Sequence, residues 1–287
     1  MQTIVRALVC AVLASVPAAE ASDTLDVATW NIKWFGDSDR DPKDGPQFSG
    51  VRDVIRTTQL ELWAVQEIED SRDFGRLLRD LPGYEGFLVR DGRVENGSTD
   101  YTWSQQEVGI IYRTDTVTIR GARVVLGHLA ERGSRPPFAT GRPPLEVVIS
   151  VPAHDEIVLL ILHAKAFSDE DSQRRRQEAA EALHQYILDT WASTPVVVLG
   201  DLNDEIDDEG PYAVFANDSR EWFAPTADLS GSHESGAMWD HILVSDEAAC
   251  WYVSDSAEVL SVENASSISD HFPVVASFEV GESCDSP

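Results

Sequence analysis

Positive charge is what this sequence has least of for its size. Its 287 residues hold 22 Lys and Arg against 50 Asp and Glu, a formal net charge of −28. Such a field repels polyanions and argues against nucleic-acid binding through a broadly basic surface. Two explanations stay open. A carboxylate surface suits salty surroundings, where screening removes the long-range repulsion; alternatively, the carboxylates collect divalent cations. Cysteine is scarce as well, at three residues. Beyond Val16 no apolar run is long enough to cross a bilayer. No internal repeat, low-complexity tract or linker divides the chain, so residues 22–287 read as one large α/β domain.

What is present begins with a leader. Arg6 supplies a positive start, Ala7 to Val16 a short apolar core, and Ala19-Glu20-Ala21 an A-x-A cleavage pattern. Residues 1–21 therefore read as a secretory signal peptide, and the protein as secreted or periplasmic. Cys10 follows Leu8-Val9, whereas a lipid-anchoring box wants a small residue just before the cysteine, so an anchor is the lesser alternative. Cys250 and Cys284 remain, and in an exported protein they either close one disulfide over the C-terminal tail or stay as thiols.

The chain is organised around Val196-Val197-Val198-Leu199-Gly200-Asp201-Leu202-Asn203. Three β-branched residues and a leucine predict a buried strand. Period-2 alternation predicts Asp201 and Asn203 on one side, a carboxylate beside an amide. Upstream, Leu25 to Trp30 alternates like a strand that ends at Asn31. Asp37 to Gly50, with Pro42, Gly45 and Pro46, reads as a loop. Val51, Val54, Ile55 and Thr58 follow helical spacing, and Leu62 to Gln66 forms a strand ending in Glu67. Arg72 to Leu81 reads as a short helix and Asp91 to Trp103 as a polar loop.

Glu107 precedes a strand over Val108 to Tyr112, and another covers Val117 to Leu126. Gly127 to Pro144 reads as a surface loop. Its Arg132, Arg135 and Arg142, with Arg123 upstream, could steer a phosphate or simply be solvated. Leu145 to Val151 and Glu156 to Leu162 pair as a hairpin around Ala153-His154-Asp155, delivering His163. Asp169 to Trp191 is the longest helix, with Arg174, Arg175 and Arg176 facing substrate or pairing with Glu178 and Glu181. The acidic loop Asp204 to Gly210 lacks EF-hand spacing. Asp240 opens a strand running to Val244. Trp251 to Ser254 and Val259 to Val262 read as short strands, and Asp270 and His271 precede the last strand, Val274 to Val280.

Asn31, Glu67, Glu107, His163, Asp201, Asn203, Asp240, Asp270 and His271 thus all sit at strand ends. Together they hold what phosphodiester hydrolysis needs. Carboxylates bind a hard cation such as Mg²⁺. Histidines, each needing a partner acid, orient or protonate phosphate oxygens. The chemistry is in-line attack by water with charge growing on the phosphoryl oxygens.

Six blocks occur in order: Thr29-Trp30-Asn31-Ile32, Val65-Gln66-Glu67, Leu162-His163-Ala164-Lys165, Gly200-Asp201-Leu202-Asn203, Trp239-Asp240-His241 and Ser269-Asp270-His271-Phe272-Pro273. By these blocks the chain resembles the endonuclease/exonuclease/phosphatase superfamily. That is the fold of pancreatic-type deoxyribonuclease, abasic-site endonuclease, neutral sphingomyelinase and inositol-polyphosphate 5-phosphatase. The resemblance implies an α/β fold, a four-layer sandwich of two packed mixed β-sheets flanked by helices. It also implies a role for each matched residue. Glu67 binds the essential Mg²⁺ (Mn²⁺ or Ca²⁺ being possible), with Asn31 beside it and Asp270 contributing. Asp201 positions or deprotonates the attacking water and Asn203 bonds the phosphate. His271 faces the scissile phosphate with Asp240 as partner acid. His163 is the second histidine of the deoxyribonuclease-like branch, with Glu107 as its partner.

The implied activity is a secreted, metal-dependent phosphodiesterase, a DNA endonuclease first. Hydrolysis of a phospholipid or small phosphate ester is the alternative, with Trp222-Phe223 as a candidate membrane contact. The expected partner is DNA or another phosphodiester, and the expected state a monomer without a membrane span. A non-enzymatic relative is disfavoured because the set of catalytic residue types is complete.

Overall fold

The structure, a computed structural model, describes residues 24–39, 45–101, 106–130, 135–217, 222–281 and 284. The expected leader over residues 1–21, Cys10 included, lies outside the described residues. Twelve strands follow in chain order: β1 (Thr24–Phe35), β2 (Leu62–Ile68), β3 (Tyr84–Leu88), β4 (Glu107–Arg113), β5 (Thr118–Val124), β6 (Leu145–Val151), β7 (His154–His163), β8 (Val196–Asp201), β9 (Trp222–Phe223), β10 (Asp240–Ser245), β11 (Glu258–Val259) and β12 (Val274–Glu279). They form two six-stranded sheets, ordered β11-β12-β1-β2-β4-β3 and β5-β6-β7-β8-β10-β9. Each sheet is mixed. Only β1 and β2 run parallel in the first, and only β7 and β8 in the second.

Alternation along the strands builds the layers. On β8, Val197 and Leu199 face the other sheet and join Val27, Leu62, Ile110, Leu159 and Ile161 in the central core. Val196 and Val198 face outward with Val158 and Leu160, against Ala179, Ala180, Leu183 and Ile187 of the long helix Glu170–Thr190. On the far side, Trp30, Trp63 and Val65 pack against Val51 and Ile55 of α1 (Pro46–Thr58) and Phe74 and Leu77 of α2 (Ser71–Arg79). A strand covered on both faces has to be apolar throughout, which is why β8 reads as a continuous hydrophobic run. Each such side chain contributes about 1.5–3 kcal/mol. This is the four-layer α/β sandwich of two mixed sheets flanked by helices that the resemblance implied.

The long helix begins where its cap residue stands. Asp169 accepts from Ser172 N at 3.1 Å and from Ser172 Oγ at 2.7 Å, satisfying a donor that the first turn leaves orphaned. Cys250 and Cys284 are joined in a disulfide that ties the tail to the end of a short turn after β10.

Several boundaries differ from the sequence expectations. The segment taken as a loop up to Gly50 already turns into α1 at Pro46, with Gln47 and Phe48 buried. Proline there is not a breaker: it sits in the first turn, where its missing N–H costs nothing. His154 belongs to β7 and pairs with Val151, so the hairpin turn is tighter than Ala153-His154-Asp155. Trp251 to Ser254 is not a strand, only an isolated bridge from Tyr252 to Phe278, and the strand expected over Val259 to Val262 shrinks to β11. In the candidate membrane pair, Trp222 packs edge-on against Phe215, and Phe223 is 39% exposed on an edge strand.

Candidate active site

The two parallel pairs aim their C-terminal ends at one place. Asn31 lies opposite Gln66 on β2, one residue before Glu67. His163 on β7 and Asp240 on β10 both lie opposite Asp201, the last residue of β8. Gly200 makes the close approach possible: its φ is +148°, and a Cβ there would strike the Leu162 carbonyl. Glu67 (φ +61°) and Asn203 (φ +54°) are both left-handed. Such conformations cost about 1–3 kcal/mol for most residues and cluster at functional sites, though asparagine tolerates them best.

Asn31 Nδ2 donates to Asp201 Oδ2 at 2.8 Å and to Glu67 Oε1 at 3.1 Å. Trp34 N and Gln106 Nε2 donate to Glu67 Oε2, at 3.2 and 2.7 Å. Burial raises the Glu67 pKa, opposed by the Asn31 bond and helped by the Asp201 charge. Burial likewise pushes Asp201 up to about 6, against the nearby His271. Asp201 Oδ1 accepts from Asn203 N at 2.9 Å, and Asn203 Nδ2 reaches the Ala164 carbonyl at 3.4 Å. Asp201 and Asn203 are therefore joined by a left-handed turn, not by the continued strand alternation that the sequence predicts.

His271 Nδ1 lies 2.7 Å from Asp240 Oδ2, and its Nε2 lies 3.9 Å from Asp201 Oδ2. Burial opposes the imidazolium, but Asp240 and Asp201 outweigh it and raise the pKa to about 10. The loop carrying His271 is pinned by Trp30 Nε1 on its carbonyl at 3.0 Å and by Ser269 Oγ, which accepts from His271 N at 3.0 Å and donates to Asn31 O at 2.7 Å.

His163 has the opposite state. Burial first, then Arg142 and His271, hold its pKa well below the usual value, so it is neutral. Arg142 Nη1 sits 2.9 Å from Nδ1 and 3.4 Å from Nε2. A guanidinium only donates, so the nearer Nδ1 is assigned as the acceptor and the proton to Nε2. Nε2 faces Glu67 Oε1 and Asp201 Oδ2, each at 3.6 Å.

This geometry corrects the partner expected for His163. Glu107 is buried on Arg90, at 2.5 Å to Nη2 and 3.2 Å to N. Its neighbour Gln106 faces the site instead, bridging Glu67 and Arg142, with Oε1 2.9 Å from Arg142 Nη1. Adjacent strand residues point to opposite faces, and the sequence reading put the carboxylate on the wrong one. Asp270 is held by Lys33 Nζ at 2.7 Å and lies 3.8 Å from His233 Nε2.

Of the expected basic cluster, Arg142 alone among the described residues reaches the site. Arg123 pairs with Glu146 at 2.7 Å and Arg135 with Asp171 at 3.0 Å, while Arg132 lies outside the described residues. Arg174 pairs with Asp171 and Glu178, as the helical spacing allowed. Arg175 bonds the Pro136 carbonyl, and Arg176 bonds Asp204. Gln106, Lys33 and Ser269 went unread as site residues. Ser269 lies inside a matched block, Lys33 directly follows one, and Gln106 is marked only as the neighbour of Glu107.

Among the described residues two groups have metal-ligand spacing: Asp201, Asp240 and His271, and His233, Asp270 and His271, with candidate ligand atoms within 4.8 Å of one another in each. Both groups include His271, which its carboxylate neighbours hold protonated; the crowded carboxylates that burial raises are Glu67 and Asp201, hard oxygen donors whose charge a divalent ion would relieve.

The sequence matches the model of the Endonuclease/Exonuclease/phosphatase family over residues 28–271. The chain belongs to that family and is a metal-dependent phosphoester hydrolase. Solved structures of similar fold include an endonuclease/exonuclease/phosphatase from Bacteroides vulgatus, 19% identical, covering 90% of this chain and 99% of its own, with a TM-score of 0.67. A mannosyl-6-phosphatase from Bacteroides thetaiotaomicron is 21% identical, covering 88% of this chain and 98% of its own, with a TM-score of 0.65. D. rerio TDP2 complexed with single strand DNA product is 14% identical, covering 89% and 98%, with a TM-score of 0.63. No curated protein matches the sequence.

Proposed function

We propose that this hydrolase is an exported, Mg²⁺-dependent phosphodiesterase that cleaves DNA. The observation that carries the reading is a carboxylate flanked by two histidines in opposite charge states. His163 Nε2 and His271 Nε2 lie 3.6 and 3.9 Å from Asp201 Oδ2. In-line attack of water forms one P–O bond and breaks the ester P–O bond. Asp201, largely ionised at neutral pH and more basic than an ordinary aspartate, takes the proton of the water. The His271 imidazolium and the Asn203 amide bond the phosphoryl oxygens as charge grows on them, and neutral His163 offers its Nε2–H. Glu67, with Asn31 and Asp270, would hold the divalent ion, which when bound supplies positive charge against those same oxygens. Export rests on the leader over residues 1–21.

A small phosphate ester is the competing substrate. It is favoured by the pairing of Arg123, Arg135 and Arg174 with carboxylates, which leaves little free basic surface for a long polyanion. The two are separated by assaying wild type and His271→Ala on plasmid DNA, bis-p-nitrophenyl phosphate, a sugar phosphate and sphingomyelin vesicles, each with Mg²⁺, Mn²⁺ or Ca²⁺. Metal-dependent nicking that falls ~10²-fold or more in the variant supports the nuclease. Intact DNA at every salt and metal level rejects it.

A further inference from the structure

Phe167 is the most exposed large apolar side chain among the described residues, at 73%. It is also in an unfavourable backbone conformation for a bulky residue, with φ +80°. Neither feature helps folding, yet the segment is firmly built. Arg176, only 2% exposed, donates Nη1 to the carbonyls of Lys165 and Phe167 at 2.6 and 2.7 Å. Its Nε and Nη2 hold Asp204, the residue after Asn203, at 3.0 and 2.6 Å. One buried guanidinium thus couples the Phe167 loop to the loop carrying Asp201 and Asn203. The loop also starts inside the site, because the Ala164 carbonyl accepts from Arg142 and Asn203. At 3.8 Å per Cα step, Phe167 lies no more than about 11 Å along the chain from Ala164.

The Lys165 ammonium sits 4.2 Å from the Phe167 ring centroid. Its Nζ also donates to the Ala166 carbonyl at 2.8 Å; burial first, then Arg175, lower its pKa, with Asp169 opposing them. We propose that Phe167 and Lys165 form a nucleotide subsite, in which a base next to the scissile phosphate stacks on the Phe167 ring and Lys165 attracts the adjoining phosphate. Stacking on a rigidly held aromatic is sequence-tolerant because every base has a π-face. A membrane is the poorer occupant, because one exposed phenylalanine buries little apolar area in a bilayer. This inference rests on the nuclease reading above.

The test compares kcat/KM on a single-stranded oligonucleotide with that on the same oligonucleotide carrying tetrahydrofuran abasic sites beside the cut. Wild type should prefer the base-bearing strand by about 5- to 100-fold. Phe167→Ala should collapse that preference through KM, and Phe167→Trp should keep it. An unchanged preference in Phe167→Ala overturns the subsite alone. A wild type that nicks plasmid DNA but cleaves neither strand overturns the subsite alone, and one that also leaves plasmid DNA intact overturns it together with the nuclease reading. Loss of binding to sphingomyelin–phosphatidylcholine vesicles in Phe167→Ala, with the base preference intact, overturns it in favour of membrane docking.

Discussion

Asn31 Nδ2 and Asp201 Oδ2 are 2.8 Å apart, and their bond runs from an interior strand of one sheet to an interior strand of the other. The same amide nitrogen holds Glu67 Oε1 at 3.1 Å. A buried and a partly buried carboxylate therefore share one neutral donor that sets their spacing without cancelling their charge.

Asn31→Ala should leave both carboxylates short of a buried donor. The expected loss of stability is about 1–3 kcal/mol, read from urea denaturation, with a fall in kcat. Asn31→Asp should be worse, since a third carboxylate adds repulsion. If both variants match wild type in stability, the amide is not what holds the two acids.

Asp240→Asn should change the pH profile. Asp240 is the leading cause raising His271 to about 10, against burial. Without that charge burial acts unopposed by it, so the imidazolium loses its proton at lower pH. The alkaline limb of kcat/KM should move down in the variant, while the acid limb, assigned to Asp201 near 6, stays below neutrality. A fixed alkaline limb would remove His271 from the protonated role.

Chelation by EDTA should abolish hydrolysis, and a divalent ion should restore it. Glu67→Gln keeps the shape and removes the charge. The metal concentration for half-maximal activity should rise by at least the roughly 10–100-fold seen on losing a supporting group. Equal metal dependence in the variant and wild type would put the ion elsewhere, with the Asp201, Asp240 and His271 group next in line.

His241 governs acid stability. It is fully buried, bonds Thr226 and Met238, and burial drives its pKa from 6.5 down to about 4. Above 6.5 it is neutral folded and unfolded, and contributes no pH dependence. Between 6.5 and 4 the unfolded chain binds the extra proton, so stability falls as pH falls, by about 3 kcal/mol in total at 1.36 kcal/mol per unit. Denaturation of wild type and His241→Gln across that window should show a shallower slope in the variant. Equal slopes would assign the acid sensitivity to other groups.

Much of this protein was legible in the chain. β8 announced itself because a strand buried on both faces must be apolar throughout. The helix from Glu170 was bounded by Asp169, because a cap is a local interaction three residues long. Glu67, Asp201, Asp240 and His271 were legible through short blocks that lie where strands end or begin. Glu107 failed for the complementary reason. Its type was right for a histidine partner, but one step along the chain exchanges faces, and Gln106, just before β4, is the residue turned toward Glu67 and Arg142. Arg142 stood among arginines with equal claims on the site, and local pattern held nothing to rank them.

The sequence alone determined the elements, their order and the chemical inventory, because periodicity, capping and turn preference act over a few residues. Which inventory members meet was decided by the tertiary structure. Asn31 and Asp201 are separated by 170 positions and His271 and Trp30 by 241, distances that only the pairing and stacking of two sheets closes. Their charge states were decided there too. Burial dominates at His163, with Arg142 acting in the same direction, whereas at His271 the bonded Asp240 and nearby Asp201 outweigh burial.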